Sequence, residues 1–243
     1  MLAIFKKEIQ SFFGSPIGYL IIGLFLALNG LFLWVFKGDF NIFDYGFADL
    51  SNFFLLAPWV FLFLIPAITM KSFSEEKKLG TLELLLIKPI ATSKVVLGKF
   101  WGVFVLCVLA IIPTLIYVFA ISNLGLIENN YDIGLVLGSY FGLLFLIAAY
   151  ASVGIFASSL SDNQILSFIL AIVISFGIFY GFEALATLFS SGNTQELIRS
   201  FGAKNHFEST AQGIMDTRDI VYFLSLTFFF LYLTNLRLKN LAK

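Results

Sequence analysis

Residues 71 to 99 read KSFSEEKKLGTLELLLIKPIATSKVVLGK, and this stretch decides the fold. It carries six of the chain's fifteen Lys and Arg residues, and long apolar runs flank it on both sides. A bilayer core about 30 Å thick is crossed by about twenty helical residues, so each flanking run is long enough to span it. Because Lys-rich connections between spans stay on the cytoplasmic side, the stretch predicts a cytoplasmic link between two membrane helices.

The composition is that of an integral membrane protein. Of the 243 residues, 59% are hydrophobic and 12% are charged, and the mean hydropathy is +0.95. Soluble domains usually carry about 25% charged residues. The net charge is zero, which gives no electrostatic basis for binding nucleic acid. The single Cys107 excludes an internal disulfide framework and a cysteine metal site, and we expect no cofactor.

Six apolar runs predict an all-α bundle of six membrane-spanning helices, one domain that covers residues 1–243. The predicted spans are about residues 16–36, 53–70, 95–122, 133–158, 164–189 and 219–236. Pro58 and Pro66 in the second span, and Pro113 in the third, predict kinks that are either hinges or fixed bends. The long connections are then residues 71–94 and 190–218.

The distribution of Lys and Arg orients these spans. With both termini in the cytoplasm, eleven of the fifteen residues lie on the inner side and four on the outer side. This bias is typical of multi-pass membrane proteins, whose cytoplasmic loops are enriched in positive charge. The sequence therefore predicts cytoplasmic termini and an outer segment at residues 190–218.

Residues 1–15 predict a helix that lies in the cytoplasmic membrane interface. Lys6 and Lys7 lie off its apolar face, where they can approach anionic headgroups of the membrane lipid. An extended start to the first span is the alternative. The residues that form the apolar face are Phe5, Ile9, Phe12 and Phe13.

The outer segment contains a turn and two weakly amphipathic pieces. It has fewer than thirty residues, which is too short for a substrate-binding domain. His206 is the only histidine of the chain. One histidine without a second ligand does not make a convincing metal site, so we expect a surface or helix-capping role.

Sequence motifs for catalysis are missing. The chain has no phosphate-binding loop of the G-x-x-x-x-G-K-[ST] type, no H-E-x-x-H and no G-x-S-x-G. We therefore expect no catalytic or metal-binding residues and no ATPase activity in this chain. Ionisable residues are scarce within the spans, with Glu183 near the outer end of the fifth as the exception. Glu183 is a candidate for an outer gate, or an interfacial carboxylate that reaches water.

Glycines recur at four-residue spacing in two spans. Small residues at this spacing let membrane helices approach closely. The neighbour is either another helix of this chain or a partner membrane subunit. The residues are Gly134, Gly138 and Gly142 in the fourth span and Gly177 and Gly181 in the fifth.

The middle of the Lys-rich stretch predicts two short helices. Ser72 and Glu75 have the spacing of a capping box, so a helix is expected to begin near Phe73. Gly80 is expected to destabilise the end of this helix, and Thr81 is a candidate cap for the second short helix.

The second short helix carries an apolar stripe, formed by Leu82, Leu85 and Leu86. Lys88 and Pro89 end it. The stripe either docks into a groove of a cytoplasmic partner or lies on the lipid interface.

The run from Glu75 to Pro89 resembles the loop that follows the second span in type-2 ABC exporter permeases, whose pattern is E-x-x-x-G-T-x-E-x-L-L-x-x-P. The matching residues are Glu76, Gly80, Thr81, Glu83, Leu85, Leu86 and Pro89, and Gly98–Lys99 matches the G-K that follows in the family. The resemblance implies a permease subunit of the bacterial inner membrane, with a separate cytoplasmic ABC ATPase subunit and a second permease subunit. The resemblance, the apolar stripe and the acidic residues beside it together predict ATPase coupling at Glu75, Glu76, Gly80, Thr81, Leu82, Glu83, Leu85, Leu86 and Pro89.

Residues 205–219 resemble a narrower group, the permeases associated with gliding motility. The matching residues are His206, Phe207, Gly213, Ile214, Asp216, Arg218 and Asp219. This resemblance implies a gliding-motility transporter. Two other functions stay open: a channel or secondary transporter without ATP, and a non-transporting scaffold of motility or secretion machinery.

Overall fold

The computed structural model describes residues 1–47, 49–87, 90–124, 131–213 and 216–241. These residues form α-helices and short 3-10 and π-helical turns, without a strand. Among them, six helical stretches are long and apolar enough to cross a membrane. The predicted all-α fold with six membrane-spanning helices is confirmed.

The first half of the chain runs from an N-terminal helix through three spans. Pro58 and Pro66 lie inside the continuous helix α4. At Pro113, by contrast, a 3-10 turn over Ile112–Thr114 separates α7 from α8, as expected where proline removes a backbone donor. The helices are α1 (Leu2–Phe13), α2 (Pro16–Gly30, continued by a π-helical turn Leu31–Val35), α3 (Ile42–Tyr45), α4 (Ser51–Thr69), α5 (Ser74–Lys78), α6 (Thr81–Leu86), α7 (Thr92–Ile111) and α8 (Leu115–Leu124).

The second half contains the remaining three spans and residues 190–218, the predicted outer segment. The fifth span is α10 with a π-helical turn at Gly177–Gly181. The helices are α9 (Ile133–Leu160), α10 (Gln164–Phe176), α11 (Phe182–Ala186), α12 (Gly192–Arg199), α13 (Ala203–Ala211) and α14 (Thr217–Leu241).

Helices α4 and α9 form the centre of the bundle. Most residues of these two helices are buried, whereas about a third or fewer are buried in the other four spans. Helix α9 packs against α4, α7, α10 and α14. A Cβ atom at Gly154 of α9 would collide with the Thr69 side chain of α4, so the contact between the two central helices depends on glycine.

The predicted glycine stripes divide into two groups. A Cβ atom at Gly142 would collide with Thr210 of α13, and one at Gly138 would lie 3.3 Å from Gly213. Both glycines therefore let the predicted outer segment pack closely against α9. Gly134 meets only the cap of its own helix, and no described atom lies within 4 Å of a Cβ at Gly177 or Gly181. A partner-subunit contact for these three stays a prediction.

Polar contacts fix the outer segment to the bundle. The ring of His206 lies between the Asp219 carboxylate, 2.6 Å from Nδ1, and the Ser200 carbonyl, 2.9 Å from Nε2. Glu183 forms an ion pair with Arg199 at 3.1 Å. The histidine thus connects α13 to the start of α14. The gating role of Glu183 stays a prediction.

Candidate functional site at the lysine-rich end

The end of the bundle that carries residues 70–91 is called here the lysine-rich end. The N-terminal helix α1 packs there on α7. A Cβ atom at Gly98 would lie 2.9 Å from Ile4 Cβ, and one at Gly102 would lie 2.7 Å from Glu8 Cβ. Two glycines one helical turn apart therefore let α1 approach the third span closely.

The buried face of α1 differs from the predicted apolar face. Phe5, Ile9 and Phe13 are only half-buried. The face that packs on α7 consists of every fourth residue. One of these residues is a glutamate, whose carboxylate pairs with a buried lysine of α7. The members of this face are Ile4, Glu8 and Phe12.

Lys99 of α7 is the buried partner. Its side chain is 2% exposed, and its ammonium lies 2.9 Å from Glu8 Oε1 and 3.0 Å from Glu76 Oε1. It also donates a hydrogen bond of 2.7 Å to the Ser72 carbonyl and lies 5.0 Å from the centre of the Phe73 ring. An ammonium at such depth is stable only when it is paired and hydrogen-bonded.

Glu76 shares this lysine with the N-terminal helix. Its Oε1 also accepts from Lys7 Nζ at 3.1 Å, while its Oε2 is buried without a hydrogen-bond partner among the described residues. Lys7 is largely exposed, so its ion pair contributes little. Glu8, Lys99, Glu76 and Ser72 therefore join α1, α7 and the connection after α4 in one cluster, called here the Lys99 cluster.

A second set of contacts fixes the same connection to the central helix α9. The Ser158 hydroxyl oxygen accepts hydrogen bonds from the backbone N–H groups of Phe73 at 2.9 Å and Ser74 at 3.2 Å. One turn further along α5, Lys77 Nζ donates to the Ser159 carbonyl. The start of α5 is thus capped from another helix.

The observed caps of α5 and α6 correct two local predictions. The capping box is wrong, since the N-cap residue of α5 is Phe73 and Ser158 occupies the place expected for Ser72. Thr81 is also not a cap. Gly80 is the N-cap of α6 with a φ of +69°, which favours glycine, and the Thr81 hydroxyl instead donates to the Glu76 carbonyl at 3.3 Å.

Two of the three leucines in the α6 stripe, Leu82 and Leu85, face the chain itself. Leu82 is 4% exposed within the core, and Leu85 is half-buried against it. Leu82 therefore cannot serve as the predicted contact with a partner in this conformation. Glu83 is exposed, as are Leu79, Leu84 and Ile87, the last at 80%. The Leu86 side chain and Pro89 lie outside the described part of the chain.

A family model described as ABC-2 family transporter protein matches residues 4–239. The chain belongs to this family. It is thus the membrane permease component of an ABC transporter, and the family implies association with an ABC ATPase subunit. No curated protein matches the permease significantly.

Sequence reasoning missed part of the Lys99 cluster in this permease. Lys99 was counted among the positive charges of the predicted inner side and matched to the G-K of the family, but no buried ion pair was predicted for it, and Glu8 was not considered. Two signals were available: the Gly98-x-x-x-Gly102 spacing around Lys99, and the position of Glu8 midway between Ile4 and Phe12. Neither signal shows that Glu8 and Lys99 contact each other.

The cap of α5 predicts the effect of Ser158→Ala in the permease. Two buried N–H groups lose their acceptor, which costs about 1–3 kcal/mol. We expect the amides of residues 73–78 to exchange hydrogen about tenfold faster or more, measured by exchange and mass spectrometry on detergent-purified protein.

Ser152→Ala is the matched control on the same helix. Among the described residues, the Ser152 hydroxyl donates only to the Ala149 carbonyl of its own helix, at 2.7 Å. Its removal should leave exchange at residues 73–78 unchanged. Equal exchange in the two variants would contradict the cap.

Proposed function

We propose that the connection between α4 and α7 couples a cytoplasmic ABC ATPase subunit to movement of the permease helices. The observation that carries the proposal is the Lys99 cluster, which joins this connection to α1 and α7 within hydrogen-bond distance. The contacts of Ser158 add α9. A displacement of the connection therefore reaches two spans and the N-terminal helix through short, buried polar contacts.

The proposal places the lysine-rich end and both termini in the cytoplasm of a bacterium, with the permease in its inner membrane. Eleven of the fifteen Lys and Arg residues support this orientation. The segment with α12 and α13 then faces outward.

The surface proposed to contact the ATPase is the exposed side of α6 and the turn before it. It presents three large apolar side chains and one carboxylate, which suits a partner groove with an apolar floor and a basic rim. Its residues are Leu79, Glu83, Leu84 and Ile87. Leu82, Leu85 and Gly80 hold α6 in place. When α6 is displaced, Glu76 transmits the movement to Lys99.

In this mechanism, ATP-driven closure of the ATPase subunits pushes α6 toward the bundle. Because the contacts of Lys99 with Glu8 and Glu76 are short and Lys99 is buried, the push tilts α7 together with α1. The tilt changes access to a pathway formed with a second permease subunit.

The resemblance of residues 205–219 further supports a transporter of the gliding-motility system. Adjacent genes for an ATPase and a second permease with a large outer domain would support that assignment.

The test is recovery of ATPase activity with affinity-tagged permease from native membranes. The double variant Glu83→Lys, Leu84→Asp places an opposite charge and a carboxylate at the proposed contact. We expect ATPase recovery to fall about tenfold or more, the equivalent of about 1.4 kcal/mol.

Leu197→Asp on α12 is the matched control, since Leu197 is as exposed as Leu84 but lies on the outer segment. Unchanged recovery in the double variant would rule out docking through α6. Motility or secretion that survives a catalytically dead ATPase, yet fails without this chain, would instead support the scaffold function.

A further inference from the structure

A cleft of about 410 Å³ opens at the lysine-rich end beside the Lys99 cluster. It lies between α1, the start of α2, the end of α4 and the beginning of the connection. Its walls combine charged groups with the apolar side chains of Phe12, Ile17 and Ile68. A cleft of this size and mixed lining can hold the polar part of one small amphiphile.

Most of the charges in the cleft are already paired with each other. Lys99 contacts both Glu8 and Glu76, and Lys7 contacts Glu76. Two charged groups of the lining are not engaged in this way, one positive and one negative. Lys71 and Glu75 are half-buried, and neither forms an ion pair with another described residue. The cleft therefore offers one ammonium and one carboxylate.

The apolar side of the cleft adjoins the exposed surface of α2. Ile17 lines the cleft at the first turn of this span. The next side chains, Tyr19 and Leu20, are each more than 60% exposed. Acyl chains can therefore lie along α2 while a headgroup occupies the cleft, as expected for a site at the membrane interface.

We propose that this cleft binds a phospholipid with an ethanolamine headgroup. The Lys71 ammonium contacts the phosphodiester, and the Glu75 carboxylate accepts a hydrogen bond from the primary ammonium of the headgroup. One positive and one negative group, each without an ion pair among the described residues, match such a zwitterion. A choline headgroup carries no N–H to donate, and an anionic headgroup would face Glu75 without a compensating charge of its own.

Lipid binding to the purified permease tests this assignment without any ATPase, so its failure leaves the proposed coupling untouched. Native mass spectrometry would titrate phosphatidylethanolamine, phosphatidylcholine and phosphatidylglycerol with identical acyl chains. We expect about tenfold tighter binding of the ethanolamine lipid, equivalent to about 1.4 kcal/mol. Glu75→Gln should abolish its advantage over the choline lipid, and Lys71→Met should weaken all three.

Glu196→Gln and Lys37→Met are matched controls, since both residues are exposed and distant from the cleft lining. Both should leave the preference intact. On the unaltered permease, stepwise N-methylation of the ethanolamine lipid should reduce affinity at the step that removes the last N–H. Equal affinity for the ethanolamine and choline lipids overturns the proposal, as does tighter binding of phosphatidylglycerol. Soluble glycerophosphoethanolamine that binds as tightly as the lipid also overturns it, since the acyl chains would then contribute nothing.

Discussion

Replacing Lys99 with methionine is expected to lower the apparent unfolding temperature of the detergent-purified permease by on the order of 10 °C. The side chain is 2% exposed, and its removal leaves Glu8, Glu76 and the Ser72 carbonyl without their shared donor. Breaking a buried ion pair from one side costs about 3–5 kcal/mol, because the opposite charge stays buried. Thermal unfolding followed by tryptophan fluorescence measures the shift.

Two lysine controls separate this effect from the loss of a positive charge. Lys94 is exposed on the same helix five residues earlier, so Lys94→Met should change the unfolding temperature little. Lys7→Met removes only the exposed contact with Glu76, worth less than about 1 kcal/mol. A Lys99→Met shift no larger than that of Lys94→Met would contradict the buried cluster.

The partner carboxylate gives a second check on the same cluster. Glu8→Gln and Lys99→Met act on one pair, so their combined cost should be smaller than the sum of the separate costs. Simple addition of the two shifts would mean that Glu8 and Lys99 do not interact.

The six membrane-spanning helices were predictable because their signal is local. Each span is an apolar run of about the length that a bilayer requires, and a helix satisfies its backbone hydrogen bonds within the same segment. Pro113 also marked an interruption in the third span that the structure contains. Such features need no knowledge of which helices are neighbours.

The candidate site was less predictable because its contacts join distant parts of the chain. Glu8 and Lys99 are 91 residues apart, and Phe73 and Ser158 are 85 apart. The local motif predicted a cap from Ser72, but a hydroxyl from α9 occupies that place.

Periodicity also left the direction of the α6 stripe open. It places Leu82 and Leu85 on one face, but it does not say whether that face meets this chain or a partner. The packing against the bundle decides the question, and it leaves Leu84 and Ile87 on the exposed side.

Among substitutions of uncharged residues, Gly102→Val is expected to have the largest effect on the packing of α1. A Cβ atom there would lie 2.7 Å from Glu8 Cβ, an atom fixed to the α1 backbone that cannot swing aside. Overpacking alone costs about 1–3 kcal/mol. Since α1 must move away from α7, Glu8 also loses contact with Lys99. An isolated helix of this length is marginal, so the amides of residues 4–12 should exchange about tenfold faster or more once α1 is displaced.

Gly23→Val in α2 is the matched control, because no described atom lies within 4 Å of a Cβ at that glycine. The same substitution in another span should therefore leave exchange in α1 unchanged. If Gly102→Val also leaves it unchanged, close packing of α1 on the third span does not hold the N-terminal helix. If α1 exchanges faster while ATPase recovery with the permease stays normal, the N-terminal helix takes no part in docking, because the exposed side of α6 is untouched.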